Sequence, residues 1–314
     1  MNPLVSIMIA TYNQPAYIKQ AVESCLGQDY ANLEVVVGDD STNDETYEVL
    51  KPLLANPKLK YFKNEVNLGR VKNYRHLLFN LAKGDWAVML DGDDFYADPG
   101  FISKAVSFIN GDSTIVLVAA GHLTWDEGND IKTPEVLVKE DAVFEGAELF
   151  HKQIRLGQHS TNIYKRTLAT ELDFYRLDSM GTDSEGLFRL ALHGKVVYLS
   201  DIVVWWRIHN LNNTFKADDA LKQMHEMKFI DNVYDYSLQF LDKKTALSWR
   251  KYMYTAMSYH VINLAERSGK FINVMRVLKW ASEFWGWRAT LRYFKRYVLN
   301  KLKPGSAGTY LRAL

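Results

Sequence analysis

Cysteine is almost missing from this sequence: Cys25 is the only one among 314 residues. No intramolecular disulfide can form, and a cysteine-based metal site has too few ligands. The usage fits a reducing compartment. Long apolar runs are missing as well. No stretch of about 18 uncharged apolar residues is present, which argues against a membrane-spanning helix. The opening residues, MNPLVSIMIATYN, lack a basic stretch followed by a small-residue cleavage site, and they read as a strand rather than a secretion signal. These absences set the expectation of a cytoplasmic protein. Net charge is also close to absent, because 38 Lys and Arg stand against 37 Asp and Glu. The chain as a whole therefore offers no field for a polyanion. That balance hides a split: residues 270–314 hold ten basic residues and one acidic residue, Glu283, a net +9, which leaves −8 on residues 1–269. Internal repeats and low-complexity tracts are not found.

The composition supports a large core. Apolar residues make up 47% and charged residues 24%, so disorder is not expected. Through the first third, short apolar runs alternate with stretches of helical spacing. Strands are expected at 5–10, 33–37, 59–62, 86–90 and 115–119, and helices at about 16–26, 44–54, 69–83 and 99–109, with Gly84 as the cap of the third helix. Further on, 183–192 reads as a helix, and 196–199 and 202–207 read as two strands. Helical spacing dominates from about 215 to 302, and Pro304-Gly305-Ser306 marks a loose end. Alternation of this kind predicts a doubly wound, mainly parallel α/β sheet, whose ligands bind beyond the carboxyl ends of the strands.

Three polar clusters sit at those ends: Thr11-Tyr12-Asn13, Asp39-Asp40-Ser41 and Asp91-Gly92-Asp93-Asp94. Three carboxylates within four residues repel one another, a cost more readily accepted when a cation or a donor network offsets it. Hard divalent cations such as Mg²⁺ and Mn²⁺ prefer oxygen ligands and often bridge to substrate phosphates. An acidic turn that caps the next helix is the other reading, as is capping by Asp39, Asp40 or Ser41 of the helix beginning near Asp44. Tyr12 can stack on a flat ring. Arg70 and Lys72 follow the third strand, where they can meet a diphosphate or a base or remain solvated helix charges.

Taken in order, Ala10-Thr11-Tyr12-Asn13, the run Glu34 to Asp44, Asn67-Leu68-Gly69 with Asn73, Gly84-Asp85 and Leu90-Asp91-Gly92-Asp93-Asp94 resemble the family 2 glycosyltransferases. A second block is similar too: Thr182-Asp183 with Arg189, Gly194-Lys195, and Arg207-Ile208-His209 with Asn213-Thr214. The chain departs from the usual pattern in lacking a glycine between Asp40 and Ser41 and in having Thr182 before Asp183. The resemblance implies an inverting enzyme of the GT-A fold, a Rossmann-like mainly parallel sheet flanked by helices with a C-terminal helical extension. It implies transfer of a sugar from a nucleoside-diphosphate sugar to an acceptor hydroxyl, with Mn²⁺ or Mg²⁺ as cofactor. On this resemblance Tyr12 and Asp40 would hold the nucleotide base, with Thr11, Asn13 and Asp39 beside them. Asp91 would meet the ribose, or the metal through water. Asp93 would ligate the metal directly, His209 would add a metal or diphosphate contact, and Asp183 would be the general base, with Glu185 as runner-up. The expected division is a catalytic domain over 1–214, with a nucleotide-sugar half to about 110, then a helical region over 215–314.

Trp280, Phe284, Trp287, Leu291, Phe294, Val298 and Leu302 recur at intervals of three or four and form one apolar stripe, with Arg288, Arg292, Lys295, Arg296, Lys301 and Lys303 largely off it. A basic amphipathic helix suits an anionic membrane surface, so peripheral contact with the inner face of the cell membrane is one expectation. Packing on the catalytic domain or on a second subunit is the other. The acceptor is expected to be a glycan or a lipid-linked molecule, in cell-surface glycan or polysaccharide synthesis, and no nucleic-acid module is visible. The competing classes are a metal-dependent phosphohydrolase or nucleotidyltransferase, and a non-catalytic nucleotide-sugar-binding module. The D-x-D run follows the fourth strand rather than the first, and the first loop, Thr11-Tyr12-Asn13-Gln14-Pro15, has no glycine. Both points count against the first of these.

Overall fold

The computed structural model describes residues 2–209 and 220–301, with side chains as far as Val298. Asn213, Thr214, Leu302, Lys303 and the 304–306 turn lie outside the described residues, as does the side chain of Lys301.

The strands are β1 (Val5–Thr11), β2 (Leu33–Asp39), β3 (Leu59–Lys63), β4 (Trp86–Asp91), β5 (Phe95–Tyr96), β6 (Ile115–Asp126), β7 (Ile131–Glu135), β8 (Ala142–Glu145), β9 (Asn162–Lys165) and β10 (Lys195–Ile208). They form one sheet in the order β3-β2-β1-β4-β9-β6-β10-β5, with β7 added to β6 and β8 to β10. The half built from β3, β2, β1 and β4 is parallel throughout. Antiparallel β9 then joins β4 to β6, and β6 runs parallel to β10. The first helices are α1 (Ile18–Leu26), α2 (Glu45–Leu50), α3 (Arg70–His76) and α4 (Phe101–Gly111). They are followed by α5 (Gly146–His151), α6 (Arg166–Glu171) and α7 (Thr182–Ala191). The chain closes with α8 (Ala220–Glu226), α9 (Phe229–Ser237), α10 (Lys243–Arg267), α11 (Phe271–Trp285) and α12 (Trp287–Lys301).

Both faces of the sheet are covered, which is why β1 and β2 are nearly continuous apolar runs and every residue in them is buried. Val5, Ile7 and Ile9 face a cluster shared with α1 and α4, while Met8 and Ala10 face the opposite cluster with Tyr74 and Leu77. That second cluster continues without interruption into Phe229, Trp249, Ile262, Val277 and Ala281. Trp249 is fully buried between Phe150 and Phe188, at ring-centre distances of 4.8 and 5.0 Å. The C-terminal helices therefore share one apolar core with the sheet.

Three local expectations are corrected. The helix read over 69–83 is α3 followed by a wider π turn at Leu77–Leu81, and Gly84 does not cap it. A Cβ on Gly84 would come within 2.7 Å of the Ser6 backbone nitrogen, so close packing against β1 is what demands glycine there. The two strands read over 196–207 are one bulged strand, β10, whose register shifts around Ile202. The apolar stripe is not on one helix: Gly286, at φ +77°, separates α11 from α12. Phe284 stacks on Tyr254 at 4.1 Å, whereas Trp287 and Leu291 are exposed.

Glu34 ties the parallel half together from inside. Its carboxylate accepts the Ser6 hydroxyl of β1 at 2.5 Å, the Lys60 ammonium of β3 at 2.5 Å and the Lys83 N–H at 2.6 Å. Burial, the largest influence, favours the neutral acid, but these three donors outweigh it and hold the carboxyl below its ordinary value. Its stabilising contribution is complete above the unfolded pKa of about 4.3 and is lost as pH falls through the lower folded value. Glu34→Gln is expected to cost about 1–3 kcal/mol at pH 7 in urea denaturation. The gap to wild type should close as the pH drops below about 4, and a gap independent of pH would count against this account.

Candidate active site

The strand register brings the three polar clusters together. Thr11 pairs with Asp39 and Ala10 pairs with Asp91, so the carboxyl ends of β2, β1 and β4 lie side by side. They open onto a cleft of about 570 Å³, within the range that holds a nucleotide-sized ligand. Of the residues expected in the site, Thr11, Tyr12, Asn13, Asp40, Arg70, Asp91 and Asp93 line this cleft. Gln14, Tyr74 and Trp206 also line it, and the sequence had not marked them as site residues. Tyr74 was open to discovery, since it lies one helical turn beyond Arg70 on the same face of α3. Trp206 comes from β10, and the sequence does not tell that its side chain faces the cleft.

The wall at β1 and β2 is held by local bonds. Asn13 adopts φ +52°, a left-handed conformation that asparagine tolerates better than most residues. Its N–H donates to the Ser41 hydroxyl at 2.8 Å, and its side-chain oxygen accepts the Thr42 N–H at 3.2 Å. Asp40 accepts from Asn64 at 3.0 Å, from the Leu68 N–H at 2.8 Å and from the Gly69 N–H at 2.8 Å, and so fixes the loop ahead of α3. Asp39 stands behind the wall rather than in it. It is fully buried, and its oxygens accept the Tyr61 hydroxyl at 2.6 Å and the Ser41 N–H at 2.9 Å.

The run Asp91 to Asp94 splits into three different environments. Asp91 accepts the Tyr74 hydroxyl at 2.6 Å on one oxygen and meets His159 Nε2 at 3.2 Å on the other. Burial alone would raise its pKa, but His159, Tyr74 and Arg70 bring it down to about 2. His159 is correspondingly raised: its burial opposes the charge, and Asp91 and then Asp183 favour it. Asp93 is raised by burial and by the neighbouring Asp91 charge, with His209 acting the other way, and its Oδ2 lies 3.0 Å from His209 Nε2. Asp94 is raised well above the carboxylate range by burial, then by Asp93 and Asp91. Gly92 permits the turn, because a Cβ there would come within 2.8 Å of the Thr11 and Gln14 side chains.

His209 reaches this loop because β5, immediately after Asp94, pairs antiparallel with Val204 and Trp205 of β10. Arg207 locks the junction. Its N–H donates to Asp94 at 2.9 Å, and its guanidinium donates to the Asp93 carbonyl at 3.0 Å, to Glu127 at 2.8 Å and to Gln20 at 2.6 Å. It also lies over the rings of Tyr17, Phe95 and Trp125. Tyr17 in turn stacks on His209 at 4.5 Å.

Asp183 lies on the first turn of α7, half-buried and outside the cleft lining, and its charge acts on Arg70, Tyr74 and His159. Glu185, the runner-up, is fully buried and paired with Arg176 at 2.5 Å and Arg189 at 3.2 Å, so its carboxylate is engaged inside the protein. Among the described residues, no group of three or more His, Cys, Asp or Glu side chains is gathered as a complete cation cage. From the junction around Arg207, Arg207→Lys is expected to cost roughly 3 kcal/mol, because an ammonium cannot reach all of these acceptors at once. Thermal or urea denaturation equal to wild type would contradict that role.

Comparison with known proteins agrees with this architecture. The sequence profile of Glycosyl transferase family 2 matches residues 6–172, just over half of the chain. An uncharacterized glycosyltransferase of Haemophilus influenzae is 33% identical over 132 residues, covering 41% of this chain and 52% of that protein. The poly(ribitol-phosphate) beta-N-acetylglucosaminyltransferase TarS of Staphylococcus aureus is 26% identical over 201 residues, covering 62% of this chain and 34% of TarS. The matches thus span about half the length of the first relative and about a third of the second. The crystal structure of TarS residues 1–349 superposes with a TM-score of 0.64 at 19% identity, covering 87% of this chain and 79% of that one. Structures of the same fragment hold UDP or UDP-GlcNAc. The mannosyltransferase PcManGT of Pyrobaculum calidifontis, in complex with GDP-Man and Mn²⁺, superposes with a TM-score of 0.59 at 16% identity, covering 97% of this chain and 82% of that one. These superpositions show the shared GT-A fold, and the profile match over more than half of the residues establishes that the chain belongs to glycosyl transferase family 2.

Proposed function

We propose that this protein is an inverting, metal-assisted glycosyltransferase that moves a sugar from a nucleoside-diphosphate sugar to an acceptor hydroxyl. The observation that carries the reading is the pairing of Asp93 with His209 at the edge of a nucleotide-sized cleft built on parallel strand ends. In this reading Tyr12, half exposed at the rim, stacks on the base, and Thr11 and Gln14 line the floor. Asp40 acts mainly by fixing the loop of Asn67 and Gly69. Asp91, held ionised between Tyr74 and His159, accepts a ribose hydroxyl, and Arg70 faces the diphosphate.

The donor set fits a hard divalent cation. Asp93 Oδ2 and His209 Nε2 lie 3.0 Å apart, and these two side chains would hold such an ion. When bound, Mn²⁺ or Mg²⁺ would supply charge neutralisation at the departing diphosphate. The chain itself contributes the base. Asp183 takes the proton of the acceptor hydroxyl as its oxygen attacks the anomeric carbon, and the bond from that carbon to the diphosphate oxygen breaks. Attack opposite the leaving group inverts the anomeric centre in one displacement. The likeness to TarS supports a surface-glycan acceptor. Exposed Trp287 and Leu291, beside Arg288, Arg292, Lys295 and Arg296, support contact of α12 with an anionic bilayer.

Calorimetry with UDP, GDP and dTDP, each with and without Mn²⁺, tests the site. One nucleotide is expected to bind in a metal-dependent manner, with Asp93→Ala weakening binding at least about tenfold, or 1.4 kcal/mol. Equal affinity with and without metal, in both wild type and variant, would remove the cation from the mechanism. For the tail, Trp287→Ala with Leu291→Ala is expected to reduce sedimentation with phosphatidylglycerol vesicles and leave nucleotide binding intact. Unchanged sedimentation would discard the bilayer contact.

A further inference from the structure

The segment that leads into the helix carrying Asp183 is gripped from two sides. From the cleft wall, the Arg70 guanidinium donates to the Ser179 carbonyl at 3.3 Å. From the C-terminal helices, Glu226 at the end of α8 accepts the Met180 N–H at 2.8 Å. The next residue, Gly181, is the N-cap of α7, and its carbonyl accepts the Glu185 N–H at 2.9 Å in the first helical turn. The buried ring of Phe229, the first residue of α9, packs against it: a Cβ on Gly181 would come within 2.2 Å of that ring. Three consecutive residues, 179 to 181, are therefore each fixed by a different side chain, and two of those side chains come from beyond residue 219.

We infer that Glu226 and Phe229 are positioning residues for Asp183, so that the C-terminal helices complete the active site, and that Arg70 links the same segment to the donor cleft. This inference rests on the reading of Asp183 as the base. The physical case is one of leverage. Asp183 sits two residues after the gripped segment, half-buried on the first turn of a short helix whose start is otherwise anchored by buried Thr182 and the buried Glu185 ion pair. A base must stand within hydrogen-bond reach of the acceptor hydroxyl, and a displacement of about 1 Å can cost about a hundredfold in rate. Without Glu226 the Met180 N–H loses its acceptor, and without the glycine at 181 the helix start cannot approach α9. Arg70 faces the cleft and holds Ser179 at once, and it also senses Glu226 and Asp183 electrostatically.

The test uses the full chain with UDP-GlcNAc, UDP-glucose and GDP-mannose as donors, following release of UDP or GDP, alongside calorimetry of the same nucleotides and melting temperatures. Glu226→Ala is expected to lower kcat about ten- to a hundredfold while donor KM and nucleotide Kd stay at wild-type values. Glu226→Gln, whose amide oxygen still accepts the Met180 N–H, is expected to recover most of that loss. Gly181→Ala, which pushes on Phe229 from the other side, should reproduce the kcat defect. Wild-type kcat in Glu226→Ala overturns the inference. So does a parallel fall of kcat, nucleotide affinity and melting temperature in both Glu226→Ala and Gly181→Ala, which would mark general support of the fold. Asp183→Asn separates the two levels: full turnover in that variant removes the base and this inference with it, whereas loss there with none in Glu226→Ala overturns the inference alone. A wild type that releases nucleotide from none of the three donors counts against the transferase reading itself.

Discussion

The site depends on one buried junction, the meeting of Arg207 with Asp94 and its loop. β4 and β10 are not sheet neighbours, because β9 and β6 lie between them. The short β5 bends the chain back along β10, and Arg207 then secures the fold-over with hydrogen bonds to both the backbone and the side chains of the acidic run. A guanidinium this deeply buried is costly unless its nitrogens find acceptors, and here each of the three has one, in the Asp93 carbonyl, Glu127 and Gln20. The consequence is functional: His209, two residues on, is delivered to Asp93 and held there by the Tyr17 ring.

The same junction explains how four residues can hold three carboxylates. Asp91 is drawn to one side by Tyr74 and His159 and stays ionised. Asp94 is drawn to the other side, into burial beside Arg207, where its neutral form is favoured. Asp93 between them meets His209 of the β10 end and keeps a place on the cleft. Repulsion within the run is relieved by sorting the three groups into separate surroundings rather than by gathering them around one point.

The C-terminal helices play a larger part than their sequence suggests. A basic segment with a regular apolar stripe looks like an appendage, yet one face of α10 and of α11 is built into the core that backs the sheet, through Trp249, Ile262 and Val277. After the break at Gly286, the stripe residues Trp287 and Leu291 turn outward. The stripe was real as a period, but the period runs on across Gly286, where the chain breaks between two helices.

The parallel half of the sheet and its polar strand ends were legible in the sequence, because a strand buried on both faces must be an uninterrupted apolar run and its end must be where polarity returns. The run Asp91-Gly92-Asp93-Asp94, the cluster at Thr11 and the placement of Asp40 follow from that alone. The division of labour within these clusters was not legible. Asp39 and Asp40 are adjacent and chemically identical, yet one lies behind the wall and the other on it, since successive strand residues face opposite ways and neighbours such as Tyr61 decide what each one meets. Glu185 and Asp183 differ by two positions on one helix, and only the presence of Arg176 and Arg189 commits the first to the interior. Trp206, His159 and Glu226 come from segments far along the chain, and their arrival at the site was decided by the sheet curling through β5 and by the helices closing over it. Local periodicity determines elements and their ends; contacts between residues remote in sequence are set by packing, which no local pattern records.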